Sequence, residues 1–562
     1  MTQSGSSKSK SQKTELHQSA SKKEGPVHPL LHDPGWLDVM RQHFDLDASE
    51  FALRFPGRTD WPVREIAEQL HCYPRAKAKL GPLHRPGMIY LREALEQASG
   101  YAAATWRARN WITTRGEKGH GTVSGDDASP LVKSDANSGI RPHDIPDSPY
   151  DSQSEPDSIF RVADLTGGLG IDAAAFALAG AWVDYCERNP VLASVARHNH
   201  GLLELAPRIR WHTGDGMEWL ASRQREESQQ QGSQRVESQQ QGSQRVESQP
   251  ADIQSEDRKL DLLYIDPSRR PGGKRVLSLQ DSVPDVTRHL GLIRSATRRC
   301  LIKLSPMMDP VDAARSLEDC VAVIAVSVDG ELKELLADCI PSQGQKQGQG
   351  QKRGQGQKRG QGSPGQRCPP VHCAVMLDAS GEERFRFSNA SGASGTTDES
   401  GVENSFAEQS SHAQPGPVRS GPPGTLLFEP DPSLFKMRLI DEAARRYGLI
   451  RIHPGIGYLT NGQLPSPSGQ PTSTGPPSPS TPGAFPGKVF RIRRTLPYKP
   501  RHLKKWLEET GLTRVHIHQR GFPLTVDQLY KKLGCRMGED AHLFATMSCD
   551  GQKVVIVADR VG

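Results

Sequence analysis

The nine residues Asp164-Leu165-Thr166-Gly167-Gly168-Leu169-Gly170-Ile171-Asp172 constrain this chain more than any others, because they join an apolar run, FRVADL, to an Ala-rich run, AAAFALAG. Glycines at 167, 168 and 170 let the backbone turn tightly and pass close to a ligand with no side chain in the way. The flanking runs read as a strand and a helix, and the rhythm repeats as strand WVDYCE, helix VLASVARHN and strand IRWHTGD. Alternating strands and helices predict a parallel sheet with helices on its faces. The sheet is expected to resume with KLDLLYIDP, RRCLIKLSP and AVIAVSV.

Acidic residues recur at the ends of these strands. Glu187 closes WVDYCE, 17 residues beyond Gly170, where a carboxylate can accept both hydroxyls of a ribose. Asp215, in Thr213-Gly214-Asp215-Gly216, follows the third strand near the expected adenine edge, and the fourth strand ends in Asp266-Pro267-Ser268-Arg269-Arg270. Such strand ends lie side by side on the carboxyl edge of an open α/β sheet, the crevice in which ligands bind. Taken alone, Glu187 could be a solvated strand-end acid, and Gly-Asp-Gly makes a good turn by itself. A nicotinamide-binding Rossmann domain is the rival. Its G-x-G-x-x-G turn delivers a pyrophosphate to a helix N-terminus, whereas here the turn begins with Asp164, which suits a cationic ligand without phosphate.

From Arg161 to Asp338 this constellation resembles the class I S-adenosylmethionine-dependent methyltransferases. The resemblance implies that Asp164, Thr166, Gly168, Gly170, Glu187 and Asp215 bind the cofactor, S-adenosylmethionine, and that Asp266 and Pro267 are the catalytic pair. In amino-directed nucleic-acid methyltransferases the fourth-strand motif is Asn or Asp, two prolines and an aromatic that stacks on a flipped base. Here Ser268 and Arg269 replace the second proline and the aromatic, so recognition of an amine is not implied. Arg269 and Arg270 suit the phosphates of a substrate, or else salt bridges to the following QDSVPD; Lys303 is either a substrate contact or a structural ion-pair partner.

More closely, DLTGGLGID, YIDPSRR, IKLSPMMD and the C-terminal RGFPLTVDQLYKKLG with LFATM resemble a bacterial family of class I methyltransferases that carry a THUMP-like C-terminal domain preceded by a ferredoxin-like domain; LEQASGYAAATW resembles the end of that family's helical N-terminal region. The implied fold is α/β, a Rossmann-like methyltransferase sheet with a helical N-terminal domain and small α+β C-terminal domains. The implied partner is RNA, since THUMP domains deliver RNA to modifying enzymes. A non-catalytic RNA-binding or assembly protein that keeps the fold, and a small-molecule methyltransferase, are the alternatives.

Composition sets the boundaries. Only 35% of the 562 residues are hydrophobic, and the Gly, Pro, Ser and Gln excess is gathered into tracts. The expected organisation is a basic disordered tail (1–27), a helical domain (28–112), a polar linker (113–158), the methyltransferase domain (159–341) with a disordered insertion at 223–258, and a low-complexity linker (342–367). A ferredoxin-like domain (368–461) with a polar insertion at 388–423, a Pro/Ser-rich loop (462–486) and a THUMP-like domain (487–562) complete it. The last reads β, α, β, α, β, β, with a capping box from Thr525 to Gln528. Nine scattered cysteines without a CxxC pair argue against a zinc ribbon or a disulfide framework, so no metal is expected. His516 and His518 read as surface residues. The absence of a signal peptide or a long apolar run predicts a cytoplasmic protein with no membrane partner. A net charge of +6 permits a polyanionic partner without requiring one.

Overall fold

A computed structural model of the protein describes residues 26–112, 159–240, 259–269, 279–341, 369–389, 418–461 and 484–561. The expected linkers 113–158 and 342–367, and most of the basic tail, the 388–423 insertion and the 462–486 loop, lie outside the described residues.

The N-terminal domain is helical as its periodicity predicts: α1 (Trp36–Gln42), α2 (Ala48–Arg54), α3 (Val63–Leu80), α4 (Arg92–Gln97) and α5 (Tyr101–Trp111). Helix α3 buries Ile66, Leu70, Tyr73, Ala76 and Leu80, residues three and four apart on one face. Gln69, fully buried, satisfies both backbone groups of Tyr90 at 2.8 and 2.9 Å.

The central sheet contains β1 (Arg161–Asp164), β2 (Trp182–Glu187), β3 (Ile209–Thr213), β4 (Leu262–Ile265), β7 (Cys300–Leu304), β8 (Cys320–Val328), β9 (Glu331–Cys339), β10 (Val371–Leu377) and β11 (Glu383–Ser388), while β5 (Ser268–Arg269) and β6 (Ser282–Val283) form a separate ribbon. Its helices are α6 (Ile171–Leu178), α7 (Pro190–Leu202), α8 (Gly216–Gln240), α9 (Leu290–Ala296) and α10 (Pro310–Ser316). The strand order is β11-β10-β8-β9-β7-β4-β1-β2-β3. Strands β1 to β4 and β7 run parallel, whereas β9 lies antiparallel between β7 and β8. The reversed strand separates this sheet from the all-parallel dinucleotide-binding arrangement, and the order reverses between β1 and β4, where such sheets bind ligands.

Three boundaries differ from expectation. Helix α8 continues through Gln240, well into the insertion expected to be disordered from residue 223; Glu, Gln, Ser and Arg tolerate a helix once the apolar first turns have nucleated it. The ferredoxin-like domain expected at 368–461 is divided. Strands β10 and β11 extend the central sheet through the parallel pairing of β10 with β8. The remainder, β12 (Leu426–Pro430), α11 (Pro432–Lys436), α12 (Ile440–Arg446), β13 (Ile450–His453) and β14 (Ile456–Thr460), joins the C-terminal residues.

Those residues form β15 (Gly487–Pro497), α13 (Pro500–Glu509), β16 (Arg514–Gln519), α14 (Val526–Leu533), β17 (Arg536–Met547) and β18 (Lys553–Arg560), in the predicted order, and α14 starts on the Thr525–Gln528 capping box. A single sheet, β13-β14-β12-β15-β18-β17-β16, results, because β15 pairs with both β12 and β18. Pairing on both sides leaves β15 no open edge, which an isolated THUMP-like domain would have to protect. Phe428, Leu434 and Ile440 share one buried cluster with Ile302, Leu335 and Met376 of the central sheet. No described helix is long and apolar enough to cross a membrane.

Candidate active site

A cavity of about 1920 Å³ opens at the carboxyl ends of β1, β2 and β4, with the helical domain as its opposite wall. It exceeds the roughly 300–1,000 Å³ of a typical single-ligand pocket. Thr166, Gly168, Glu187, Asp215, Asp266, Pro267 and Lys303 all line it.

The turn after β1 is built from glycines for steric reasons. A Cβ on Gly167 would sit 2.1 Å from the Tyr185 ring, and one on Gly170 2.3 Å from His200 Nε2; Gly170 also has a φ of +76° as it caps α6. Tyr185 donates from its hydroxyl to the Gly168 carbonyl at 2.6 Å, and His200 holds the Gly170 carbonyl at 2.9 Å. Burial lowers the His200 imidazole to about 4, so it stays neutral.

Glu187 accepts from the Gly168 N–H through Oε2 at 2.9 Å and from the Asn189 N–H through Oε1 at 2.8 Å. Asp215 caps α8, accepting from Met217 at 2.8 Å and Glu218 at 3.2 Å. Among the described residues neither carboxylate has a cationic partner. This end of the cavity is therefore acidic, with backbone that comes close to any occupant, as a ribose and a sulfonium require.

Asp164 and Gly170 do not line the cavity. Asp164 is 1% exposed and accepts from the Thr166 N–H at 3.1 Å; Thr166 Oγ1 in turn accepts from the Asp266 N–H at 2.7 Å. Burial, with Asp172, Asp266 and Glu187 adding, holds the Asp164 carboxyl well above the usual range. The two residues shape the turn from behind the cavity lining.

Asp266 Oδ2 lies 2.6 Å from Lys303 Nζ, which also donates to Ser99 Oγ at 3.1 Å. Burial opposes the Lys303 charge, but Asp266, Asp172 and Glu334 outweigh it and raise the ammonium above its ordinary range. Lys303 is thus an ion-pair partner within the cavity wall. The backbone of Arg269 pairs with Ser282 in the β5–β6 ribbon; its side chain, and all of Arg270, lie outside the described residues.

The helical domain, for which the sequence pattern predicts no role in this site, completes it. Arg107 of α5, fully buried, pairs with Asp172 in the first turn of α6 and with Glu334 on β9, and donates to Ser99 at 2.8 Å. Ser99 donates to Asp172 at 2.9 Å and Tyr264 does so at 3.2 Å. Although burial disfavours the charge, Arg107 and Lys303 hold the Asp172 carboxyl below its ordinary range. The helix following the glycine turn is thereby tied to another domain. Asn199 on α7 adds a second tie, exchanging two 2.9 Å hydrogen bonds with the backbone of Ile89.

In the C-terminal sheet, His516 and His518 are half-buried rather than superficial. His518 hydrogen-bonds His542 at 2.9 Å and stacks on Phe544 with centroids 4.3 Å apart, because β16 lies beside β17. Among the described residues no group of three or more His, Cys, Asp or Glu is arranged to hold a metal ion.

Residues 487–560 match the family described as THUMP domain-like. A crystal structure from Porphyromonas gingivalis W83, described provisionally as a methyltransferase, is similar over 96% of this chain and 100% of its own, with 22% sequence identity and a TM-score of 0.59. A SAM-dependent methyltransferase from Agrobacterium tumefaciens is similar over 33% of this chain and 57% of its own, with 18% identity and a TM-score of 0.22. No curated protein matches the sequence. The chain thus joins a Rossmann-like class I methyltransferase fold to a THUMP-like C-terminal domain.

Proposed function

We propose that this protein is an S-adenosylmethionine-dependent methyltransferase acting on RNA. The observation that carries the reading is the convergence of the glycine turn, Glu187, Asp215 and Asp266 on one cavity at the point where the strand order reverses. The residues fit the cofactor: Glu187 suits the ribose hydroxyls, Asp215 the adenine edge, and the close backbone at Gly167 and Gly168 the methionine part. When bound, S-adenosylmethionine supplies an electrophilic methyl group on a sulfonium. The protein's share of such a reaction is positioning and exclusion of water. Thr166 fixes the backbone of Asp266, Lys303 fixes its carboxylate, and Arg107 fixes the helix behind the turn.

Support for RNA comes from the C-terminal domain. Arg494, Lys499, Arg501, Lys531, Lys532 and Arg536 are exposed there, with no acidic partner among the described residues. Such a set attracts phosphates irrespective of sequence. Lys504 and Lys505, by contrast, face Glu508 and Glu509 on their own helix. The reading is tested by incubating the full chain with labelled S-adenosylmethionine and total RNA from cells lacking the gene. Label in RNA is expected, and label confined to small molecules or protein overturns the RNA acceptor.

A second reading, a binding protein that keeps the fold without turnover, is favoured by one observation. Lys303 occupies Asp266 Oδ2, the acceptor that an incoming amine would need. Cofactor binding without transfer to any RNA fraction would select it.

A further inference from the structure

The cavity carries charges of both signs. Glu187 and Asp215 mark one end; Lys79 of α3, Lys303 of β7 and Lys333 of β9 also line it, from three separate parts of the chain. Lys79 and Lys333 have no part in the cofactor site just described.

An ammonium carries three donors, and each of these has at least one to spare. Lys79 Nζ donates to the carbonyls of Leu95 at 2.8 Å and Glu96 at 2.9 Å. Lys303 gives two hydrogen bonds, to Asp266 and Ser99. Lys333 has only Glu331, at 2.7 Å. Of the carboxylates that share the cavity, Asp172 and Glu334 pair with Arg107, Glu96 pairs with Arg92 at 3.1 Å and Asp266 pairs with Lys303 itself, while Glu93 and Asp329 line it too. The like charges feel one another. Burial first, and then Lys303 and Lys333, depress the Lys79 ammonium, with Glu96 opposing. Lys79, partly desolvated and facing two further cations across the same space, is a cost to the fold that a bound anion reduces.

We propose that Lys79 and Lys333, together with Lys303, form an anion subsite that takes a phosphate of the acceptor nucleotide. The inference rests on the methyltransferase reading for the word acceptor, but the subsite itself does not depend on it. It gives the helical domain a role in substrate binding, and it accounts for a cavity larger than one cofactor requires. A phosphate beside Lys303 would also draw that ammonium from Asp266, freeing the carboxylate to receive the nucleoside.

The test uses calorimetry on the full chain with two probes. S-adenosylhomocysteine is titrated first. Nucleoside 5′-monophosphates of the four bases, and the corresponding nucleosides, are then titrated in its presence, so that the adenosine end is blocked. Monophosphates should bind at least about ten-fold tighter than nucleosides, and Lys79→Met and Lys333→Met should each weaken only the monophosphates, by roughly 10- to 150-fold, as loss of a charged hydrogen bond does. Lys79→Arg should retain binding. Should Lys79→Met fail to fold, Lys333→Met decides, because its side chain is 43% exposed and its loss leaves no buried gap. Equal affinity for monophosphates and nucleosides, or lysine variants that bind monophosphates like the parent, overturns the subsite. No heat with S-adenosylhomocysteine, alongside lysine-dependent monophosphate binding, overturns the cofactor reading and leaves the subsite standing.

Discussion

Glu187 Oε2 accepts a hydrogen bond from the Gly168 N–H at 2.9 Å, so the acid that ends the second strand and the turn that follows the first form one unit. Its other oxygen anchors the Asn189 N–H at the start of α7, and a ligand bound there meets a carboxylate already fixed in place.

Glu187→Ala should therefore weaken S-adenosylmethionine strongly. A charged hydrogen bond is worth about 1.5–3 kcal/mol, which corresponds to roughly 10- to 150-fold in affinity. Glu187→Gln keeps the shape but turns an acceptor toward donation, and it should lose a smaller part. Calorimetry with the cofactor checks this, and an unchanged dissociation constant in the alanine variant would remove Glu187 from the site.

Arg107→Met should destabilise the whole chain by about 3–5 kcal/mol, since Asp172 and Glu334 are left buried without their cation. Adding Asp172→Asn and Glu334→Gln should recover part of that loss by removing the stranded charges. Chemical denaturation of the single and triple variants measures both. A single variant as stable as the parent would show that the buried ions carry no net weight.

How far the site could be read in the sequence follows from how local its determinants are. The glycine turn, Glu187, Asp215 and Asp266 were legible because each sits at a strand end whose position the hydrophobic rhythm reveals. Arg107 was not, since its partners Asp172 and Glu334 lie 65 and 227 residues away. A trace exists: Arg107 interrupts the apolar AAATWRA, Asp172 opens an Ala-rich helix and Glu334 stands within ELLAD. A charge in an apolar run needs a partner, although nothing local says which. The divided ferredoxin-like segment escaped for the same reason. Strands β10 and β12 look alike as sequence, and only distant pairing assigns one to each sheet.

Lys303→Met separates the two roles left open for that residue. If Lys303 serves only the ion pair, methyl transfer should survive its loss, because Asp266 is one-third exposed and water can replace the ammonium. The proposed lysine subsite leads to the other outcome. Cofactor affinity should stay within about two-fold while transfer to RNA falls by at least about ten-fold, the signature of an interaction made with the acceptor. Parallel measurement of cofactor binding and of labelled RNA product distinguishes them.

The lysine subsite has a pH signature with a definite sign. Lys79 is lowered from the ordinary 10.5 to about 8, chiefly by burial and then by Lys303 and Lys333, whereas Lys303 is held above its ordinary range by Asp266, Asp172 and Glu334. As pH rises through 8, Lys79 gives up its charge and Lys303 keeps its own. The phosphate of a monophosphate is already dianionic above about pH 7, so it does not titrate in that window. Affinity for nucleoside monophosphates should accordingly be full near pH 7 and fall by several-fold by pH 9. Lys79→Met should flatten the profile at its weaker level, and Lys79→Arg should flatten it at the stronger one, since a guanidinium stays charged throughout. Calorimetric dissociation constants at half-unit steps supply the curve; a parent profile as flat as that of Lys79→Arg would mean that Lys79 does not meet the phosphate.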